Sequence, residues 1–119
     1  MKKEKCSIPV NLFTFGFADE VAQGQQFDDE VIGRCIEAVE NIFEPAGGIN
    51  RNITSHALRE LMEKHLGEKL SNGEFIMAML RAGYACERVK CTANCYFNVS
   101  PEGVSAIREI NKKKAGAGE

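Results

Sequence analysis

No apolar run in this chain approaches the roughly 20 residues that cross a bilayer. That excludes a transmembrane helix. The opening stretch MKKEKCSIPVNLFTFGF has a basic end and some apolar residues, but Asn11, Thr14 and Gly16 interrupt it. No small-residue cleavage site follows cleanly, so it reads as part of the mature fold and not as a signal peptide. The chain also lacks an even set of cysteines. Five (Cys6, Cys35, Cys86, Cys91, Cys95) would leave one outside any closed disulfide framework, and a cytoplasmic setting with reduced thiols is expected. Catalytic signatures are missing as well. No Ser-His-Asp grouping, nucleotide loop or HExxH pattern is legible, and AGGIN is a lone glycine pair. The expectation is a protein that is not an enzyme and carries no cofactor.

Strong charge of one sign is absent too. The net charge is −2, far from the basic footprint of a typical DNA-binding domain. The distribution is uneven, however. Residues 1–50 hold four Lys/Arg against nine Asp/Glu, and residues 51–119 hold eleven against eight. The second part is therefore the one suited to an anionic partner.

What is present is a sequence of helix signals. With 119 residues, 44% of them hydrophobic, the chain can bury one compact core. Asp28 caps a first helix, DDEVIGRCIEAVENIFE, with Val31, Ile32, Cys35, Ile36, Val39, Ile42 and Phe43 on one stripe. PAGGINRN then reads as a flexible connection. Thr54 or Ser55 caps a second helix, HALRELMEKHL, and Gly67 can take the left-handed conformation that ends it. SNGE fits a capping box with Ser71 and Glu74, so a third helix runs from there to about Ala82. YACERVKCTANCYFNVS reads as a hairpin turning at Thr92–Asn94. Ser100 and Pro101 open a last helix, PEGVSAIREIN, and KKKAGAGE reads as a frayed tail. The segment from Ile8 to Phe17 reads as a strand that Pro9 confines to an edge.

This order predicts a mainly α fold with a β-hairpin wing (α+β), a winged helix-turn-helix. Residues 1–50 would form an N-terminal segment and first helix packed on the core. Residues 51–119 would supply the helix-turn-helix, the wing and the C-terminal helix. Across SHALRELMEKHLGEKLSNGEFIMAMLRAGY and NCYFNVS, most tellingly at SNGEFI, RAGY and YFNVS, the chain resembles small winged-helix proteins encoded by phages and other mobile elements. The likeness spans roughly residues 52–110. It implies a fold more strongly than an activity.

The third helix carries the functional question. Phe75, Ile76, Met79 and Leu80 share one face and should be core. The other face would present Asn72, Glu74, Met77, Ala78 and Arg81. In a groove-reading helix, Asn72 could bond an adenine edge, Met77 could meet a thymine methyl, and Arg81 could reach a guanine or a phosphate. Arg88, Lys90 and Asn94 would let the wing grip the backbone of double-stranded DNA. Lys112, Lys113 and Lys114 could add salt-dependent affinity, or simply be a solvated tail. Cys86, Cys91 and Cys95, with His56 or His65, could make a zinc site, though the spacing lacks a paired CxxC.

Two functions follow. One is DNA binding in transcriptional control or DNA maintenance, with the N-terminal aromatic segment (Phe13, Phe15, Phe17) as a candidate homodimer contact. The other is binding a host protein, as an inhibitor of a host enzyme or defence system. The acidic first part and the nearly uncharged helix face suit the latter.

Overall fold

The structure, a computed structural model, describes residues 11–20, 22 and 27–117, with side chains in the last helix as far as Lys114. Among the described residues, four helices and two small antiparallel sheets make an α+β fold. Helix α1 (Asp29–Ile42) begins where Asp28 accepts hydrogen bonds from the amides of Glu30 and Val31. Its stripe buries Val31, Ile32, Cys35, Ala38 and Val39, with Phe43 just beyond its end. Helix α2 (Ser55–Leu66) is capped by Thr54 and stopped by Gly67 at φ 70°. Helix α3 (Asn72–Arg81) opens with both halves of the Ser71/Glu74 capping box.

The remaining elements depart from expectation in three places. PAGGINRN is not a free connection: Pro45–Asn50 forms a strand, β3, on the edge of a three-stranded sheet with order β3-β5-β4. Its partner β5 (Cys95–Val99) also pairs with β4 (Cys86–Arg88). Proline and two glycines have poor strand propensity, and pairing is registered at Pro45–Val99 and Asn50–Phe97, with an irregularity between them. The tertiary partner supplies what local sequence does not. Second, the tail is helical, since α4 runs from Pro101 to Ala117. It lies along α2, where Asn111 Nδ2 bonds the Leu61 carbonyl at 3.0 Å and Lys114 Nζ the His65 carbonyl at 2.6 Å.

Third, the aromatic segment is a tight hairpin, not one strand. Strand β1 (Leu12–Phe13) pairs with β2 (Gly16–Phe17) across a two-residue turn. The Ile8–Val10 part of the expected strand lies outside the described residues. Leu12 and Phe17 are buried and join the same core as Phe75 and Phe97, whose rings meet edge-on at 6.0 Å. The hairpin is thereby part of the hydrophobic core.

Candidate functional site

The face expected to enter a groove is built around α3, and the β1–β2 hairpin lies on it. Phe75, Ile76, Met77, Ala78, Met79 and Leu80 are all buried. An amphipathic helix exposes one side; six successive buried residues mean that both sides are covered. The Gly73 amide donates to the Thr14 carbonyl at 2.8 Å, which seats the hairpin turn on the first turn of α3. At the other edge, the Phe17 amide donates to the Ala93 carbonyl at 2.9 Å, joining the hairpin to the β4–β5 turn.

Asn72 stands where the three pieces meet. Its Nδ2 lies 3.1 Å from the Phe15 carbonyl, 3.3 Å from the Ala93 carbonyl and 3.1 Å from Asn94 Oδ1. Its own Oδ1 is buried with no partner among the described residues. Asn72 and Asn94 are thus brought together, but they face each other and the hairpin backbone. Glu74 is occupied twice. One carboxylate oxygen takes the Ser71 amide at 3.1 Å, and the other takes the Asp28 amide at 2.7 Å, fastening the start of α3 to the start of α1.

Met77 and Ala78 correct the expected face. They are 4% and 0% exposed, because α3 is enclosed by α1 and α2 as well as by the hairpin seated on its first turn. In this conformation no base could meet Met77. Arg81 is exposed at the far end of the helix, 3.7 Å from Asp29 Oδ1. Arg88 turns inward: Nη1 donates to Asp19 Oδ1 at 2.8 Å and to the Ala18 carbonyl at 3.3 Å, and Nε donates to the Thr92 carbonyl at 2.9 Å. Its planar fork ties the segment after β2 to the wing turn. Only Lys90 among the six candidates is exposed with no polar contact among the described residues. These six residues therefore form no single open surface. Four of them help close one.

The cysteines also part company. Cys86 and Cys95 are hydrogen-bonded to each other on neighbouring strands, which lowers the Cys86 thiol and raises that of Cys95, while Cys91 is exposed. Among the described residues, no three His, Cys, Asp or Glu side chains gather closely enough to hold a metal. His56 faces Glu60 at 3.6 Å. His65 is held below its ordinary pKa, first by burial and then by Lys114. No family model matches this chain, and no curated protein or solved structure does.

Two features were missed by sequence reasoning. The hairpin cover depends on residues about 60 positions before α3, and a lone LFTFGF gives no sign of where it docks. The second is the set of cations left over once ion pairs are counted. Arg34, Arg51, Arg59, Arg81 and Arg88 each lie within 4.0 Å of a carboxylate. Arg108 does not, among the described residues, and it lies on α4 beside Lys112.

Proposed function

We propose that this chain is a winged helix-turn-helix scaffold of the phage or mobile-element type, working in the cytoplasm as a non-enzymatic binding module whose partner is a protein. Support for the scaffold comes from the element order. A strand between α1 and α2 pairs with the far strand of the hairpin that follows α3, as a winged helix requires. The resemblance across residues 52–110 points the same way. One observation carries the choice of partner: the face of α3 that would read DNA is buried, with the chain's own β1–β2 hairpin seated on its first turn.

What the hairpin presents in place of that face is aromatic. Phe15 is 58% exposed and stacks on Phe13 at 5.0 Å. It stands out among the described residues as an exposed large hydrophobic. Rigid aromatic anchors of this kind suit a protein partner. Inhibition of a host enzyme or defence system is the role this reading favours.

Anisotropy titration with random duplex DNA, at low and at physiological salt, tests the choice. The expected result is no change in duplex affinity on Asn72→Ala or Arg81→Ala. A steep salt dependence that disappears with those two substitutions would restore α3 as a groove-reading helix and end the protein reading. DNA binding of that kind retains one favourable observation, the exposed Lys90 at the wing, and it requires the hairpin to leave α3.

A further inference from the structure

Among the described residues, several cations with no carboxylate partner collect in one groove. Helices α2 and α4 lie side by side, and the channel between them has two stretches that share Leu61, Lys64 and Arg108. In the first stretch, of about 750 Å³, two of the three carboxylates on the rim, Glu63 and Glu68, are paired with arginines. Glu60 faces His56, Glu63 holds Arg59 at 3.1 Å and the Leu70 amide at 2.8 Å, and Glu68 takes a two-pronged contact from Arg34 at 2.6 and 2.8 Å. The second stretch, of about 500 Å³, is lined by Leu61, Lys64, Arg108, Asn111, Lys112 and Lys114. No carboxylate is among these residues, and four of the six are cationic. Arg108 and Lys112 are one turn apart on α4, about 6 Å along its axis.

We infer that this α2–α4 groove binds an acidic, amphipathic peptide segment of a protein partner. The inference rests on the protein-partner reading above and adds the place and chemistry of one contact. The floor is apolar: Leu61 is only partly covered, and the aliphatic stems of the lysines and Arg108 extend it. A concave strip with an apolar floor and a cationic rim matches a helix carrying leucines on one side and carboxylates beside them. A phosphodiester strand would satisfy the rim and waste the floor. A long polyanion would also have to approach a molecule of net charge −2 whose first 50 residues carry nine acids. A short peptide presents its charge only where the cations are.

The probe is a fluorescein-labelled helical peptide of glutamate and leucine, with the leucines on one face, titrated with the full chain. Peptide binding that weakens with added salt is expected, falling by about tenfold or more in the Arg108→Glu/Lys112→Glu double variant. Lys90→Glu, on the wing, should leave it unchanged. All three positions are exposed, and an unaltered unfolding midpoint checks that each variant folds. Equal binding by the double variant, or none by the wild type, overturns the groove while leaving the protein-partner reading to the duplex titration. Random duplex DNA that binds more tightly than the peptide and loses affinity in the same double variant would make the groove a phosphodiester site, and would overturn both.

Discussion

Gly73 sits in the first turn of α3, where alanine is ordinarily the better helix former by about 1 kcal/mol. Here a Cβ would run into the carbonyls of Phe13 and Thr14, backbone atoms that cannot swing aside. Gly73→Ala is therefore expected to destabilise the fold, by about 1–3 kcal/mol. Gly33, in the middle of α1, has nothing within 4 Å of its notional Cβ. There the ordinary sign should hold, and Gly33→Ala should stabilise by about 0.5–1 kcal/mol. Urea unfolding of the two variants reads both signs, and two equal effects would mean that the hairpin does not press on α3. The thiols make a second residue-scale prediction. Cys35 is fully buried and pushed up to about 12 by burial, with a smaller push from Glu74. Native-state alkylation followed by peptide mass analysis should label exposed Cys91 well before Cys35 or Cys95. Labelling of all three at one rate would contradict the burial described.

At the scale of elements, the β1–β2 hairpin and α3 hold one another. Asn72→Ala removes contacts to Phe15, Ala93 and Asn94 together. Because the hairpin carbonyls it served would lose a donor, the cost should be about 1–3 kcal/mol. Amide hydrogen exchange should then rise in residues 11–18 and at Gly73, while α2 and α4 stay protected. Uniform loosening of all four helices would mean that the hairpin is no separate unit. Loss of the Ser71 hydroxyl is a simpler case. Ser71→Ala should cost about 1 kcal/mol, because one half of the capping box goes while Glu74 keeps its bond to the Asp28 amide.

For the whole molecule, acid should weaken the fold through several groups acting in one direction. Hydrogen bonds from Arg34 and Arg51 hold Glu68 and Glu87 below the ordinary carboxylate range. Their contributions are present above about pH 4.3, the unfolded value, and are lost as pH falls through the lower folded values. His65 is likewise depressed. The unfolded chain takes up its proton first as pH drops below about 6.5, so stability declines from there. The thermal midpoint should fall from pH 7 toward pH 4, and His65→Gln should flatten the upper part of that slope. A midpoint that rises on acidification would contradict these signs. The same molecule-wide view sets the charge economy. Five of the arginines close the structure, and the cations left over among the described residues lie on α2, α4, the wing tip and the link before α3.

By itself the sequence determined the elements whose signals are local. Asp28, Thr54 and Ser71 cap α1, α2 and α3 because a short side-chain oxygen reaches an amide two or three residues ahead. Gly67 stops α2 because it alone takes φ 70° without strain. The hairpin after α3 follows from alternation in CYFNV, where Cys95, Phe97 and Val99 point inward. Tertiary structure decided the rest. Strand β3 exists because β5 offers Pro45 and Asn50 a partner, and the Asn50 side chain bonds the Val99 carbonyl 49 positions further along the chain. The first turn of α3 is closed because a hairpin from the N-terminal part of the chain docks on Gly73 and Asn72. Helical periodicity tells which side of a helix faces the nearest core. It carries no information about a second wall brought from a distant segment, nor about which of two helices will set Lys64 beside Arg108.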